Sequence, residues 1–145
     1  MANTIPFSFR GALFSGDHNF SNGGNSYRMS LYVTNPYTEN STIYTNTGEV
    51  LTTGNTGYQP FDLVNQTVTA TTNVAAVDWT TDPSWGSATF TASFAAIYKY
   101  DAGTPANQLL VVMLDFGGAK TATNGTFTVA FPAVNTAADA IISMS

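Results

Sequence analysis

Between residues 88 and 131 the chain contains three long runs whose composition and spacing are typical of β-strands. Over residues 89–96, large or apolar residues alternate with small or polar ones, which is the period of a strand with one buried face. Residues 109–114 form a continuous apolar run, which favours a strand buried on both faces. Loops containing glycine and asparagine, 101–107 and 117–124, separate these runs. The spacing predicts an antiparallel meander.

The remaining sequence is also typical of short strands joined by turns. Apolar and aromatic residues alternate with other side chains over 27–34, which predicts a strand there. A first strand is expected over 5–13, and Pro6 is compatible with it because a missing amide is tolerated near the start of a strand. Further short strands are expected within 37–57, 63–77 and 140–144, and only 135–140 is considered for a helix. The sequence therefore predicts an all-β fold, an antiparallel β-sandwich of jelly-roll type with about eight strands.

The length of the chain favours one core. A chain of 145 residues buries about 68% of the surface that its unfolded form exposes. We expect a single β-sandwich domain over 27–145, preceded over 1–26 by an N-terminal arm that holds the first strand and a Gly-rich loop. The chain has no cysteine, which excludes disulfides and thiolate metal sites. This fits a protein assembled in a reducing cytoplasm, although extracellular proteins without cysteine also exist.

Charged residues are scarce, at 9% of the chain against about 25% in a typical soluble protein. The four basic residues and a net charge of -5 provide no stripe that neutralises several phosphates, so nucleic acid is not an expected partner. The longest apolar run is far shorter than the roughly 20 residues that span a bilayer, so no membrane partner is expected either. Only Lys99 and Lys120 are available to protect open sheet edges. We therefore expect the edges to be covered by the fold itself or, more simply, by neighbouring subunits.

Several residues resemble catalytic or metal-binding motifs, but the sequence gives little reason to assign them a catalytic or metal-binding role. His18 stands beside Asp17 with two serines nearby, but sequence neighbours in a loop do not supply the geometry of a catalytic triad. The triplet 115–117 matches a kinase motif by letters alone and is expected to be a turn. Two acidic residues, Asp78 and Asp82, are too few to indicate a calcium site, and a turn is the favoured interpretation of their segment. We predict no catalytic residue, no metal ion, no cofactor and no enzymatic activity.

Trp79 and Trp85 stand in a segment, 78–86, that is expected to be a loop. Together with Tyr58, Tyr98 and Tyr100 they have three interpretations. The two tryptophans are core residues, or they form a contact between subunits, or they make a platform on which a sugar ring stacks. The sequence leaves all three open and favours the core.

Much of residues 27–131 resembles a family of small β-rich virion structural proteins of tailed bacteriophages. The resemblance is carried by residues 27–34 (YRMSLYVT), 48–50, 54–58, 76–79 (AVDW), 92–100 (ASFAAIYKY), 109–117 and 125–129 (GTFTV). Residues 1–26 depart from that pattern and are closer to an extension that reaches a neighbouring subunit.

The resemblance implies a non-enzymatic part of the virion, and the hypothesis drawn from it is a capsid decoration (cement) protein. Its expected partners are the major capsid protein and further copies of itself, at the surface of a head assembled in the host cytoplasm. The residues expected to make subunit contacts are Ile5, Phe7, Phe9, Phe14, Trp79 and Trp85. An adhesin that binds host glycans from the head or tail surface is the alternative. A hydrolase that depends on His18 is a third and weaker one.

Overall fold

The protein is an all-β sandwich of two antiparallel sheets with one short helix, as seen in a computed structural model that describes residues 3–51, 54–132 and 140–144. These residues contain α1 (Phe7–Ser15), β1 (Tyr27–Tyr32), β2 (Phe61–Leu63), β3 (Gln66–Ala70), β4 (Ala75–Trp79), β5 (Ser84–Lys99), β6 (Leu110–Thr128), β7 (Ile142–Met144) and a 3-10 turn, Pro105–Asn107. The all-β prediction is confirmed, with seven strands in the described residues. Jelly-roll connectivity and a domain boundary at residue 26 stay predictions.

The larger sheet has the strand order β2-β1-β5-β6, and the smaller one has the order β3-β4-β7. In the larger sheet Met29 is opposite Ile97, which is itself opposite Val112, so one apolar row crosses three strands. Trp79 and Ile142 of the smaller sheet belong to the same buried cluster as this row. The two sheets therefore enclose one core.

The β5–β6 hairpin contains the two longest strands of the larger sheet, of 16 and 19 residues. The expected loop at 117–124 lies inside β6, which corrects the sequence prediction of two separate strands. Phe94 is opposite Asp115 and Ala92 is opposite Lys120, so β6 carries an irregularity between these pairs. Gly117 and Gly118 have φ values of 69° and 136°, so they absorb the extra length without ending the strand.

The N-terminal segment contains α1, so the prediction of a strand over 5–13 is wrong. Pro6 occupies the N-cap position with φ −65° and ψ 152°, which lets the chain enter a helix without losing a hydrogen bond. Gly16 ends the helix with φ 77°, and the Gly16 and Asp17 N–H groups donate to the carbonyls of Leu13 and Ala12 in a Schellman arrangement. Phe9 and Ala12 form its buried face, which joins the helix to the core.

Most other predicted strands are confirmed. The strand expected at 27–34 is β1, the segment 63–77 contains β3 and most of β4, and the buried run is the start of β6, where residues 110–113 are no more than 2% exposed. The short strands expected within 37–57 are reduced to isolated bridges, which pair Ile43 with Leu109, Glu49 with Tyr32 and Thr56 with Thr89. The helix considered at 135–140 lies, except for its last residue, outside the described residues.

Candidate interaction face

The six residues predicted to make subunit contacts divide into buried and exposed groups. Phe9, Trp79 and Trp85 lie in the core, and Ile5 is half-buried against it. Phe7 and Phe14, on α1, are 52% and 95% exposed. Only these two present a largely free side chain to a second protein.

The two tryptophans are parts of strands and not of a loop, which corrects the expectation for 78–86. Trp79 ends β4 and Trp85 lies in β5, and they are 1% and 3% exposed. The Trp85 indole N–H donates to the Gln59 carbonyl at 2.7 Å, which fixes the ring inside the fold. Their core interpretation is confirmed, and in this conformation they present no platform to a sugar or to a partner.

An apolar groove lies between the end of α1 and the smaller sheet. We call it the α1 groove and define it by Arg10, Leu13, Phe14, Val68 and Met144. It consists of an inner cavity of about 620 Å³ and an outer cavity of about 450 Å³. Leu13 and Met144 line both cavities, so the two are adjacent.

The sheet side of the α1 groove follows from the register of its strands. Val68 is opposite Val77, which is opposite Ile142, while Ala75 of the next row is opposite Met144. Residues directly opposite each other, or two apart on one strand, share a face of the sheet. This face therefore begins in the core at Ile142 and continues outward to Val68 and Met144, which are 54% and 57% exposed.

Arg10 is the charged residue of the outer cavity. Its guanidinium carbon lies 5.2 Å from the centre of the Phe7 ring, a cation–π distance. Within the described residues Arg10 has no ion pair with a carboxylate. The groove thus combines exposed apolar side chains with a guanidinium that lies against Phe7 and pairs with no carboxylate of the described residues.

His18 lines the inner cavity and lies among aromatic rings. It stacks on Phe20 with ring centres 5.6 Å apart, and its Nδ1 shares a hydrogen bond of 3.2 Å with the Tyr27 hydroxyl. Burial lowers the pKa of His18 to about 4, with smaller contributions from Lys99, which lowers it, and Asp17, which raises it. The imidazole is therefore neutral at neutral pH.

The groups that a His18-dependent hydrolase needs are engaged elsewhere. The Ser15 hydroxyl donates to the Gly11 carbonyl, and the Ser21 hydroxyl donates to the Asn19 side chain. Neither serine hydrogen-bonds to His18, whose side-chain partner is a tyrosine. The structure thus does not join His18 to either serine by a hydrogen bond.

The acidic residues considered for metal or catalysis accept backbone hydrogen bonds. Asp78 accepts from the Trp79 N–H and Asp82 from the Phe131 N–H, both at 2.9 Å. Asp115 accepts from the Gly117 N–H at 2.8 Å, but the triplet 115–117 lies within β6, so the prediction of a turn there is wrong. Burial raises the pKa of Asp78 above its ordinary value. In the part of the chain that the structure describes, no three acidic or histidine residues converge to hold a metal ion.

Sequence reasoning missed a buried carboxylate. The Tyr44 and Tyr58 hydroxyls donate to the two oxygens of Glu49 at 2.6 and 2.5 Å, and Glu49 is only 8% exposed. Tyr58 also accepts the Leu31 N–H at 3.1 Å, which ties this cluster to β1. No sequence spacing indicates it, because the three side chains come from irregular segments. The cluster fixes the long connection between β1 and β2 to the sheet.

A scan against models of known protein families, a search of curated proteins and a search of solved structures each find no match to the chain. The suggestion of a family therefore rests on the residues alone. Among the described residues, none of the helices combines the length and the apolar character needed to cross a bilayer.

Proposed function

We propose that this chain is a non-enzymatic structural protein of a tailed-phage virion, a decoration protein that binds the outside of the head shell. The observation that carries the proposal is the α1 groove, an apolar surface on a folded chain of low charge. Soluble proteins rarely leave contiguous apolar patches uncovered unless the patch is an interaction site. The resemblance of residues 27–131 to virion proteins supplies the kind of partner.

The proposed role is mechanical. A protein that binds only assembled capsid subunits stabilises the assembled state by mass action. Each copy adds contact area that the shell lacks without it, and a specific contact of this kind buries roughly 1,200–2,000 Å² in total. The α1 groove is the centre of that contact, and copies of the chain bound at equivalent positions follow the symmetry of the shell.

The test uses heads of the phage that encodes the chain, prepared without this protein. Purified chain is added, and the bound fraction after sedimentation is measured against concentration. We expect saturable binding with hundreds of copies per head, and a higher temperature of shell rupture in the decorated heads. The absence of saturable binding would contradict the proposal.

The alternative, a glycan-binding adhesin, no longer has Trp79 and Trp85 as an exposed platform. It is distinguished by copy number and by ligand. A few copies per particle at the tail, together with binding to a glycan array, would favour the adhesin over the decoration protein.

A further inference from the structure

We propose that the α1 groove receives a peptide segment of the major capsid protein in which a carboxylate side chain neighbours large apolar side chains. This inference rests on the proposed function and identifies the chemistry of the partner. The apolar side chains would enter the groove at Leu13, Phe14 and Met144, and the carboxylate would pair with Arg10.

Phe14 indicates that the occupant covers the groove from outside. Its side chain is 95% exposed and stands at the end of α1, next to Met144. A small apolar molecule lying inside the cavities would leave the outer face of this ring in water. A protein segment laid across the groove buries that face, and buried aromatic side chains commonly dominate such contacts.

Arg10 specifies the charge of the occupant. It lines the outer cavity together with Leu13, Phe14 and Met144, and Phe7 lies against its guanidinium. A guanidinium forms planar, two-point hydrogen bonds with a carboxylate, and the contact gains strength where water is excluded. The described residues bring no carboxylate to it, so an acidic side chain of the partner is complementary.

A second copy of the chain fits this face less well. The outward stripe of α1 contains Phe7, Gly11 and Phe14, and a side chain added at Gly11 would meet nothing within 4 Å. Two such helices crossing antiparallel at Gly11 would bring Arg10 of each copy close to the other across a two-fold axis. Like charges in a contact oppose association. Charge complementarity therefore favours a different, acidic partner.

The experiment measures the affinity of variants for undecorated heads by sedimentation. Phe14→Ala removes the anchor, and we expect it to weaken binding about tenfold to a hundredfold, as loss of one buried phenylalanine implies. Arg10→Gln is expected to weaken binding about threefold to tenfold and to reduce the dependence of affinity on salt. Since both side chains are exposed, the melting temperature of the free variants should be unchanged.

Two matched variants control for general loss of apolar or basic surface. Leu51→Ala removes a side chain that is 59% exposed outside the groove, and Lys120→Gln removes a cation on β6. Both are expected to bind heads with the affinity of the original chain. Arg10→Lys keeps the charge without the planar fork and should recover only part of the affinity.

The outcomes separate this inference from the proposed function. If the original chain binds heads and neither Phe14→Ala nor Arg10→Gln weakens binding, the decoration role stands and the groove inference is wrong. If the original chain does not bind heads, the proposed function fails. Concentration-dependent dimerisation of the free chain that Phe14→Ala abolishes would assign the groove to a second copy and overturn the inference. Saturable binding of dodecanoate by the chain, with head binding insensitive to both substitutions, would overturn it in favour of a free amphiphile.

Discussion

Replacing Tyr58 with phenylalanine tests whether the buried Glu49 cluster holds the long connection onto the sheet. The Tyr58 hydroxyl donates to Glu49 Oε1 at 2.5 Å and accepts the Leu31 N–H at 3.1 Å. Burial, together with the hydrogen bond to Glu49, raises the pKa of Tyr58 well above its ordinary value, so the hydroxyl stays protonated and keeps donating. Tyr58→Phe removes both bonds while it keeps the ring in place.

The expected loss follows from the two bonds. A hydrogen bond to a charged group contributes about 1.5–3 kcal/mol, and leaving a buried amide such as that of Leu31 without a partner costs about 1 kcal/mol more. The free energy of unfolding should therefore fall by about 2.5–4 kcal/mol. For a domain of this size the melting temperature should fall by roughly 5–15 °C. Tyr44→Phe removes one hydrogen bond to Glu49 and leaves no backbone amide of this cluster without a partner. Its loss of stability should therefore be smaller.

The assay is thermal and urea unfolding of the variants at neutral pH. Tyr100→Phe is the matched control, because it makes the same chemical change at a half-buried tyrosine whose hydroxyl has no hydrogen bond among the described residues. We expect that control to lie within about 0.5 kcal/mol of the original chain. If Tyr58→Phe is no more destabilising than Tyr100→Phe, the Glu49 cluster does not hold the long connection onto the sheet.

Two further predictions concern stability. Because burial holds the pKa of His18 at about 4 in the folded chain against 6.5 when unfolded, the unfolded state binds more protons between these values, and stability should fall as the pH drops from 6.5 towards 4. The loss should stay below about 1.4 kcal/mol per pH unit, and unfolding of His18→Gln across this range should show a flatter pH dependence. Gly57→Ala should cost about 2–4 kcal/mol, since φ is +77° and the new Cβ would lie 2.8 Å from the Gly86 carbonyl oxygen. Gly16→Ala, with the same φ and nothing within 4 Å, should cost about 1 kcal/mol, and equal losses in urea unfolding would show that the close approach is irrelevant.

Strands were predictable where residue types alternate or where a long run is apolar. The start of β6 is apolar throughout and buried, whereas β1 was predicted from alternation although both of its faces are mostly buried, Ser30 and Tyr32 included. α1 was missed because Phe7 and Phe9 alternate with polar neighbours as in a strand, although Pro6 and Gly16 are the ordinary start and stop signals of a helix. The helix forms because its C-terminus is capped locally at Gly16, the Phe7 N–H at its start donates to the distant Glu39 carbonyl, and one face meets the core.

The candidate site was predictable only in part. The sequence directed attention to the N-terminal arm, and two of its aromatic residues, Phe7 and Phe14, are exposed on α1. Val68 and Met144 could not be predicted, because their place beside α1 depends on strand pairings between segments distant in sequence. Residue type alone also could not distinguish a core tryptophan from a surface one. This is why Trp79 and Trp85 were expected among the subunit contacts.

One edge of the larger sheet, β6, is protected by the chain itself, so low charge does not require a neighbouring subunit at that edge. Along the first part of β6, Thr4 exchanges two backbone hydrogen bonds of 2.9 Å with Met113, and the Leu110 N–H donates to the Thr42 carbonyl. Further along, β6 carries the bulge at Gly117 and then Lys120, and bulges and lysines are both means by which proteins discourage strand addition. The chain thus protects this edge by itself. The case for assembly rests instead on the α1 groove, whose apolar side chains remain exposed in the folded chain.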